Sequence, residues 1–191
     1  MRCFIGIEIP TEVKGSLAKT AQGIRDVVGP GYRCVPEENF HITLKFLGDI
    51  EPPLLGLLME SLREVAQRSQ HQESQPIDFT IDTLSAFPSA ASSRVIWAGG
   101  EPTTGLLELA QEVEQAAVDL GVPEETRPFT PHITLLKLRN RQQAVSICDR
   151  VTDPFLLSRS RIPVQQMCLF ASMTKGGSVH YKVLEAFTLI S

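Results

Sequence analysis

The chain has 191 residues, of which 42% are hydrophobic and 21% are charged, and its formal net charge is −4. This composition is typical of one globular domain and excludes a disordered chain. No apolar run approaches the roughly 18 residues of a spanning helix, and the N-terminus lacks the pattern of a signal peptide. The negative charge argues against a protein that coats long nucleic acid. We therefore expect a cytoplasmic protein.

Helical periodicity of apolar residues predicts four helices along the chain. The first three begin at Thr11, at Pro52-Pro53 and near Thr104. Glycines end the first and the third of them, as is common at the C-termini of helices. A shorter fourth helix is predicted for Gln142 to Val151.

Apolar segments rich in strand-forming residues predict seven or eight strands. The candidates are Phe4–Ile9, Tyr32–Val35, Phe40–Leu47, Ile77–Leu84, Val95–Ala98, His132–Leu138, Val164–Ala171 and Val179–Ile190. The segment from Leu84 to Ser93 is predicted to be a loop of small residues. Helices separated by clusters of strands indicate an α+β fold, or a two-lobed α/β fold, with mainly antiparallel sheets.

Four cysteines are widely spaced, and none forms a Cys-x-x-Cys pair. Each lies in an apolar stretch, so we predict buried, reduced thiols instead of disulfides or zinc ligands. They are Cys3, Cys34, Cys148 and Cys168.

One tetrapeptide, His-Ile-Thr-Leu, occurs twice. The copies begin at His41 and His132, 91 residues apart, which is close to half the chain and indicates a duplicated unit. Side chains alternate in a strand, so each histidine shares a face with Thr43 or Thr134. If the two halves pack about a pseudo-twofold axis, two imidazoles and two hydroxyls converge on one cleft.

The same alternation predicts the orientation of the residues that follow each motif. Lys45 should share the face of His41, and Phe46 should join the apolar face. Lys137 should point to the opposite face from His132. A solvated or ion-paired role and a phosphate contact both stay open for the two lysines.

The paired motif suits phosphoester chemistry. Histidine titrates near neutral pH, so one imidazole can accept a proton from attacking water while the other donates one to the leaving oxygen. The threonine hydroxyls can hold the non-bridging phosphate oxygens. We therefore favour catalysis by His41 and His132, with Thr43 and Thr134 binding phosphate, over two buried core histidines. No Asp, Glu, Cys or third His has a ligand-like spacing, so we predict no metal and no cofactor.

These residues resemble the two-histidine (2H) phosphoesterase superfamily. The chain is most similar to the RNA 2′,3′-cyclic phosphodiesterases, which are also described as 2′-5′ RNA ligases. Beyond the paired motif, the similarity extends over nearly the whole chain. The blocks that carry it are Phe4–Pro10, Val35–Gly48, Ala86–Pro88, Arg94–Trp97, Arg127–His132, Leu169–Ser172 and Tyr181–Leu184.

The resemblance implies an α+β fold of two pseudo-symmetric lobes, with helices outside and a central cleft. It implies one domain over 1–191, built of two interleaved lobes that carry the motifs at 41–44 and 132–135. The implied reaction is hydrolysis of a terminal 2′,3′-cyclic phosphate to a 2′-phosphate, with minor 2′-5′ ligation. His41 would be the proton donor and His132 the proton acceptor. At Lys137 the family usually has Arg, which binds phosphate with two parallel hydrogen bonds.

Three further residues are candidate substrate contacts: Arg127, Lys45 and Phe129. Each also has a structural interpretation, because Arg127 or Lys45 can form an ion pair and Phe129 can pack in the core. The expected ligand is an RNA or nucleotide end with a cyclic phosphate, bound by a monomer without a protein partner. Two other functions stay open: a non-catalytic module that binds terminal phosphates, and a 2′-5′ oligonucleotide phosphodiesterase.

Overall fold

Three α-helices and ten strands make up the part of the chain that the computed structural model describes, residues 1–71, 77–139, 144, 146 and 157–189. The helices are α1 (Thr11–Val28), α2 (Pro52–His71) and α3 (Thr104–Val118). The strands are β1 (Arg2–Glu8), β2 (Tyr32–Cys34), β3 (His41–Asp49), β4 (Asp78–Ile81), β5 (Thr83–Ser89), β6 (Ser92–Gly99), β7 (His132–Leu138), β8 (Ser160–Pro163), β9 (Gln166–Lys175) and β10 (Ser178–Thr188).

Two four-stranded antiparallel sheets form the framework of the molecule. Sheet A has the strand order β10-β9-β1-β3 and sheet B the order β2-β7-β6-β5, while β4 and β8 form a separate two-stranded sheet. Each large sheet contains one of the two histidine motifs, on β3 in sheet A and on β7 in sheet B. The predicted α+β fold with two lobes of mainly antiparallel sheet is confirmed.

The helices pack their apolar faces against the sheets. Although α1 follows β1 of sheet A in the chain, it lies against β2 and β7 of sheet B. Helix α3 packs on β3 of sheet A, and α2 packs on α3 and β10. Such amphipathic helices obtain most of their stability from burying one apolar stripe. In α1 that stripe consists of Leu17, Ala21, Ile24 and Val28.

The first three helix predictions are confirmed, but one loop prediction is wrong. The segment from Leu84 to Ser93 lies mainly in the antiparallel hairpin of β5 and β6. The strand predicted for Ile77–Leu84 is interrupted at Asp82, whose N–H donates to the carbonyl of Gly99 at 2.9 Å. Strand β8 was not predicted. The fourth helix, predicted for Gln142 to Val151, lies outside the described residues apart from two isolated positions.

Three of the four cysteines lie in the described ranges. Cys3 and Cys168 are buried, Cys34 is partly buried, and all three are free thiols, as predicted. Cys148 lies outside the described residues. As for membranes, none of the helices described is both long and apolar enough to cross a bilayer.

Candidate active site

A β-bulge follows the first histidine motif. Along the pairing of β3 with β1, Thr43 is opposite Gly6 and Lys45 is opposite Ile5, which leaves Leu44 as an extra residue. An extra residue shifts all later side chains of a strand to the other face. Lys45 and Phe46 therefore have the reverse of the orientation that simple alternation predicts, and a second extra residue, Leu47, shifts the alternation again.

The bulge turns Lys45 away from His41. The Lys45 side chain is buried, and its ammonium donates to Glu114 on α3 at 2.5 Å and to the carbonyl oxygen of Pro123 at 2.7 Å. Phe46, by contrast, is 66% exposed. The predictions that Lys45 shares the face of His41 and that Phe46 lies on the apolar face are both wrong, because neither allows for the extra residue.

Strand β7 has the same irregularity at the equivalent position. Leu135 is the extra residue between Thr134 and Leu136 in the pairing of β7 with β6. The bulge returns Lys137 to the face of His132, so the prediction that Lys137 points away is also wrong. The adjacent pair of buried leucines, Leu135 and Leu136, is the sequence signal that could have shown the break in alternation.

Strands β3 and β7 lie against each other although they belong to different sheets. Positive charges on His132 and Lys137 lower the pKa of His41, so side chains of both strands are close enough to interact electrostatically. We call the space bounded by His41, Thr43, His132, Thr134 and Lys137 the cleft. All five side chains are partly exposed.

Backbone and aromatic contacts fix the orientation of His41. Its Nδ1 lies 2.7 Å from the carbonyl oxygen of Asn39. A carbonyl oxygen only accepts hydrogen bonds, so Nδ1 carries the proton and Nε2 is left as the unprotonated nitrogen. The ring packs on Phe4, with centroids 4.6 Å apart, and meets Tyr181 edge-on at 4.9 Å. The imidazole is therefore held in one tautomer and one orientation.

His132 is held in the same way in the other lobe. Its Nδ1 lies 2.8 Å from the carbonyl oxygen of Thr130, again two residues before the histidine. Phe87 meets the ring edge-on at 5.0 Å, and Trp97 lies at 5.8 Å. Both imidazoles thus leave Nε2 available for proton transfer.

Burial lowers the pKa of both imidazoles, because a charged ring loses hydration in the protein. The pKa of His41 falls to about 4, mainly through burial, with further contributions from Lys137, His132 and Lys14. The pKa of His132 is lowered by burial and by Lys137. The backbone hydrogen bonds oppose both shifts. In the free protein at neutral pH, the imidazoles are neutral bases.

Lys137 brings a positive charge into the cleft. It is partly buried, and its pKa is lowered by burial and by neighbouring Arg33. A small recess beside His41 is lined by Glu8, Glu38 and Lys14, so it contains groups of both charges. Lys137 lowers the pKa of both imidazoles, so its charge reaches both histidines of the cleft and favours an anion there.

The other predicted contacts lie outside this group. Arg127 is in an exposed loop and donates to both carboxylate oxygens of Glu125, at 3.0 and 2.8 Å, which lowers the pKa of Glu125 to about 2. Phe129 is partly buried and packs against the main core. Substrate contact by Arg127 or Phe129 stays a prediction.

The arrangement can bind and protonate a phosphate ester. Two imidazoles can transfer protons at Nε2, two hydroxyls can donate hydrogen bonds, and one ammonium can balance the anion's charge. Within the described ranges, no group of three or more His, Cys, Asp or Glu side chains is placed to hold a metal ion. The chemistry defined by these side chains is that of an acid–base phosphoesterase.

Comparison with known proteins identifies the family. The family model described as LigT like Phosphoesterase matches residues 7–97 and 100–180. The RNA 2′,3′-cyclic phosphodiesterase of Methanocaldococcus jannaschii is 30% identical over 97% of this chain and 99% of its own. The Escherichia coli protein of that name is 31% identical over 98% and 96%. This chain covers 41% of the length of a Geobacillus stearothermophilus relative with the same name.

The similarity to solved structures agrees with the sequence matches. The crystal structure of E. coli LigT complexed with 3′-AMP has a TM-score of 0.73 and 27% identity, and the match covers 100% of this chain and 98% of LigT. The chain belongs to the LigT-like phosphoesterase family of the 2H phosphoesterase superfamily. The predicted relationship is confirmed.

Proposed function

We propose that this phosphoesterase is an RNA 2′,3′-cyclic phosphodiesterase that converts a terminal 2′,3′-cyclic phosphate to a 2′-phosphate. The observation that carries the proposal is the matched orientation of two imidazoles on equivalent strands. Each Nδ1 is held by a backbone carbonyl, at 2.7 Å in His41 and 2.8 Å in His132, and each Nε2 is available beside the charge of Lys137.

The reaction needs one proton acceptor and one proton donor. Water attacks phosphorus while the neutral Nε2 of His132 takes its proton, and the bond from phosphorus to O3′ breaks. The imidazolium of His41 gives its proton to O3′, which leaves a 3′-hydroxyl and a 2′-phosphate. The hydroxyls of Thr43 and Thr134 hold the non-bridging oxygens, and Lys137 balances their charge.

The low pKa of His41 bears on its role as donor. A group with a pKa of about 4 is almost wholly unprotonated at neutral pH in the free protein. A phosphate anion bound in the cleft opposes this shift, because a nearby negative charge favours the imidazolium. We therefore propose that the donor is protonated chiefly when substrate is bound.

The pH dependence follows from the direction of these shifts. The productive free enzyme has one neutral and one protonated imidazole, so kcat/KM is largest between the two coupled pKa values. Both lie below 6.5, the ordinary value for histidine. We expect a bell-shaped profile of kcat/KM with its maximum below pH 6.5, and a kcat maximum at higher pH because bound anion raises both values. A kcat/KM maximum above pH 7 would contradict this.

Lys137 is predicted to bind the phosphate. Changing Lys137→Ala removes the cation next to the developing negative charge, and we expect kcat/KM to fall about 10²-fold, as for loss of one oxyanion donor. Lys137→Arg should keep at least the wild-type rate, because guanidinium binds phosphate through two parallel hydrogen bonds. Steady-state kinetics at several pH values will measure both. Equal losses in the two variants would show a structural role for the lysine instead.

The function itself is tested by incubating the wild-type protein with a short RNA that ends in a 2′,3′-cyclic phosphate, in the presence of EDTA. The expected product is a 2′-phosphate. Tight binding without turnover would instead support a non-catalytic module for terminal phosphates. Cleavage of an internal 2′-5′ linkage alone would support a 2′-5′ oligonucleotide phosphodiesterase. Adding an RNA with a 5′-hydroxyl tests the minor ligation.

The proposal also covers the cellular location of the protein, its oligomeric state and its independence from a cofactor. We propose a cytoplasmic monomer that acts on RNA or nucleotide ends without a cofactor. The internal duplication supports a monomer, because one chain already supplies both histidines. Sedimentation of the full chain at assay concentration tests the oligomeric state, and retention of activity in EDTA tests the metal independence.

A further inference from the structure

Arg33 is the cross-strand neighbour of Lys137. In the pairing of β2 with β7, Arg33 lies directly opposite Lys137, and Cys34 lies opposite the buried Leu136. Paired residues share one face of a sheet, with Cβ atoms about 5 Å apart. Arg33 therefore lies on the cleft side of sheet B, and its charge lowers the pKa of Lys137.

This pair of cations has no compensating acid among the described residues: neither side chain lies within ion-pair distance of a carboxylate. Like charges directly opposite each other destabilise a sheet. Five of the other nine arginines in the described ranges do have such a partner. The pairs are Arg63–Glu185, Arg68–Glu112, Arg127–Glu125, Arg159–Asp82 and Arg161–Asp78.

The position of Arg33 suits a second anion. Strand β2 is the edge strand of sheet B, and the Arg33 side chain is exposed. Lys137 lies between Arg33 and the motif of His132 and Thr134. A substrate that has one phosphate at Lys137 can therefore place a second phosphate at Arg33.

We propose that Arg33 binds the phosphate on the 5′ oxygen of the terminal nucleoside, while Lys137 binds the cyclic phosphate at its 2′ and 3′ oxygens. The inference rests on the proposed function. It makes Arg33 a specificity residue, because an RNA end presents this second phosphate and a free nucleoside cyclic phosphate does not. The enzyme then acts preferentially on RNA ends.

The test compares two substrates with the same reacting group. Adenosine 2′,3′-cyclic phosphate has a free 5′-hydroxyl, whereas the dinucleotide ApA with a 2′,3′-cyclic end has a phosphate there. We expect Arg33→Gln to lower kcat/KM for the dinucleotide about fivefold, within the range of an exposed charge pair, and to lower it less than about twofold for the mononucleotide. The dependence of kcat/KM for the dinucleotide on salt concentration should become weaker, because one salt-screened charge pair is lost.

Arg2→Gln is the matched control. Arg2 is also exposed, but it lies opposite Asp49, at the other end of the β1–β3 pairing from His41. The same loss of charge there should change neither substrate. Circular dichroism of both variants checks that the fold is kept.

Each other outcome has a definite meaning. Equal losses for both substrates in Arg33→Gln would show that Arg33 acts only through Lys137, and the proposal would be wrong. No loss for either substrate would also overturn it. If the wild type hydrolyses neither substrate, the proposed function fails and this inference fails with it.

Discussion

Alanine in place of either His41 or His132 will lower kcat for a 2′,3′-cyclic phosphate by about 10³-fold, within the 10²- to 10⁴-fold contribution of a general acid or base. The reason is geometric as well as electrostatic. Each imidazole is fixed by a carbonyl at Nδ1 and by two aromatic rings, so its Nε2 is held in position for proton transfer. Product analysis under saturating substrate measures the effect directly.

The double variant separates a joint mechanism from two independent ones. If both histidines act in one step, losing the second after the first should cost far less than another 10³-fold, because groups that act as a unit are strongly non-additive. His180→Ala is the matched control. His180 precedes Tyr181 on β10, and of these two residues it is Tyr181 whose ring packs on His41. A control with equal loss of rate would show that the effect arises from damage to sheet A.

Substrate binding should survive these changes. The hydroxyls of Thr43 and Thr134 and the charge of Lys137 are still present in the alanine variants, and they supply the phosphate contacts. We expect the Kd for a 2′-phosphate product to change less than the rate, as measured by calorimetry. Loss of binding in parallel with loss of rate would assign the histidines to binding instead of proton transfer.

The repeated tetrapeptide was enough to predict where the two motifs lie. An identical His-x-Thr pattern at half-chain spacing predicts that two strands occupy equivalent positions in two lobes. The structure has β3 in sheet A and β7 in sheet B. The side-chain period of a strand then predicts which face each His-Thr pair shares. The local sequence determines both features, so they could be predicted.

The orientation of the residues after each motif could not be predicted in this way. The extra residue of a bulge shifts the alternation of side chains by one position. Where a bulge forms depends on pairing with a strand that is distant in the sequence. Lys45 and Lys137 were for that reason both assigned to the wrong face. Phe46 was misplaced by the same extra residue, Leu44.

The hairpin of β5 and β6 was missed for a different reason. The segment 84–93 is rich in Ala and Ser and contains Pro88, and both Ala and Pro are depleted in strands. Its pairing with β6, and that of β6 with β7, places it in sheet B in spite of its composition. Tertiary pairing outweighs local preference here, and single-sequence patterns contain no information on that pairing.

Glu114→Ala will destabilise the protein by about 3 kcal/mol, because removing one partner of a buried ion pair leaves the other charge uncompensated. The Lys45 side chain is only 3% exposed, whereas that of Glu114 is 25% exposed. Glu114 also accepts the backbone N–H of Glu125 at 2.9 Å. The variant therefore leaves a buried ammonium whose remaining partner, within the described part of the chain, is the carbonyl oxygen of Pro123. Urea unfolding of the full chain measures the change.

Lys45→Met is the comparison that makes the prediction specific. Methionine keeps the apolar stem of the lysine, and the carboxylate left behind at Glu114 can be hydrated because it is partly exposed. We expect this variant to lose only about 1 kcal/mol of stability, since replacing a buried charge by an apolar side chain is often close to neutral.

The kcat/KM of Lys45→Met should stay within threefold of wild type, because the bulge at Leu44 turns Lys45 out of the cleft. A large loss of activity in a stable Lys45→Met protein would return Lys45 to the list of substrate contacts. If Lys45→Met lost more stability than Glu114→Ala, the carboxylate, and not the ammonium, would be the charge that needs its partner.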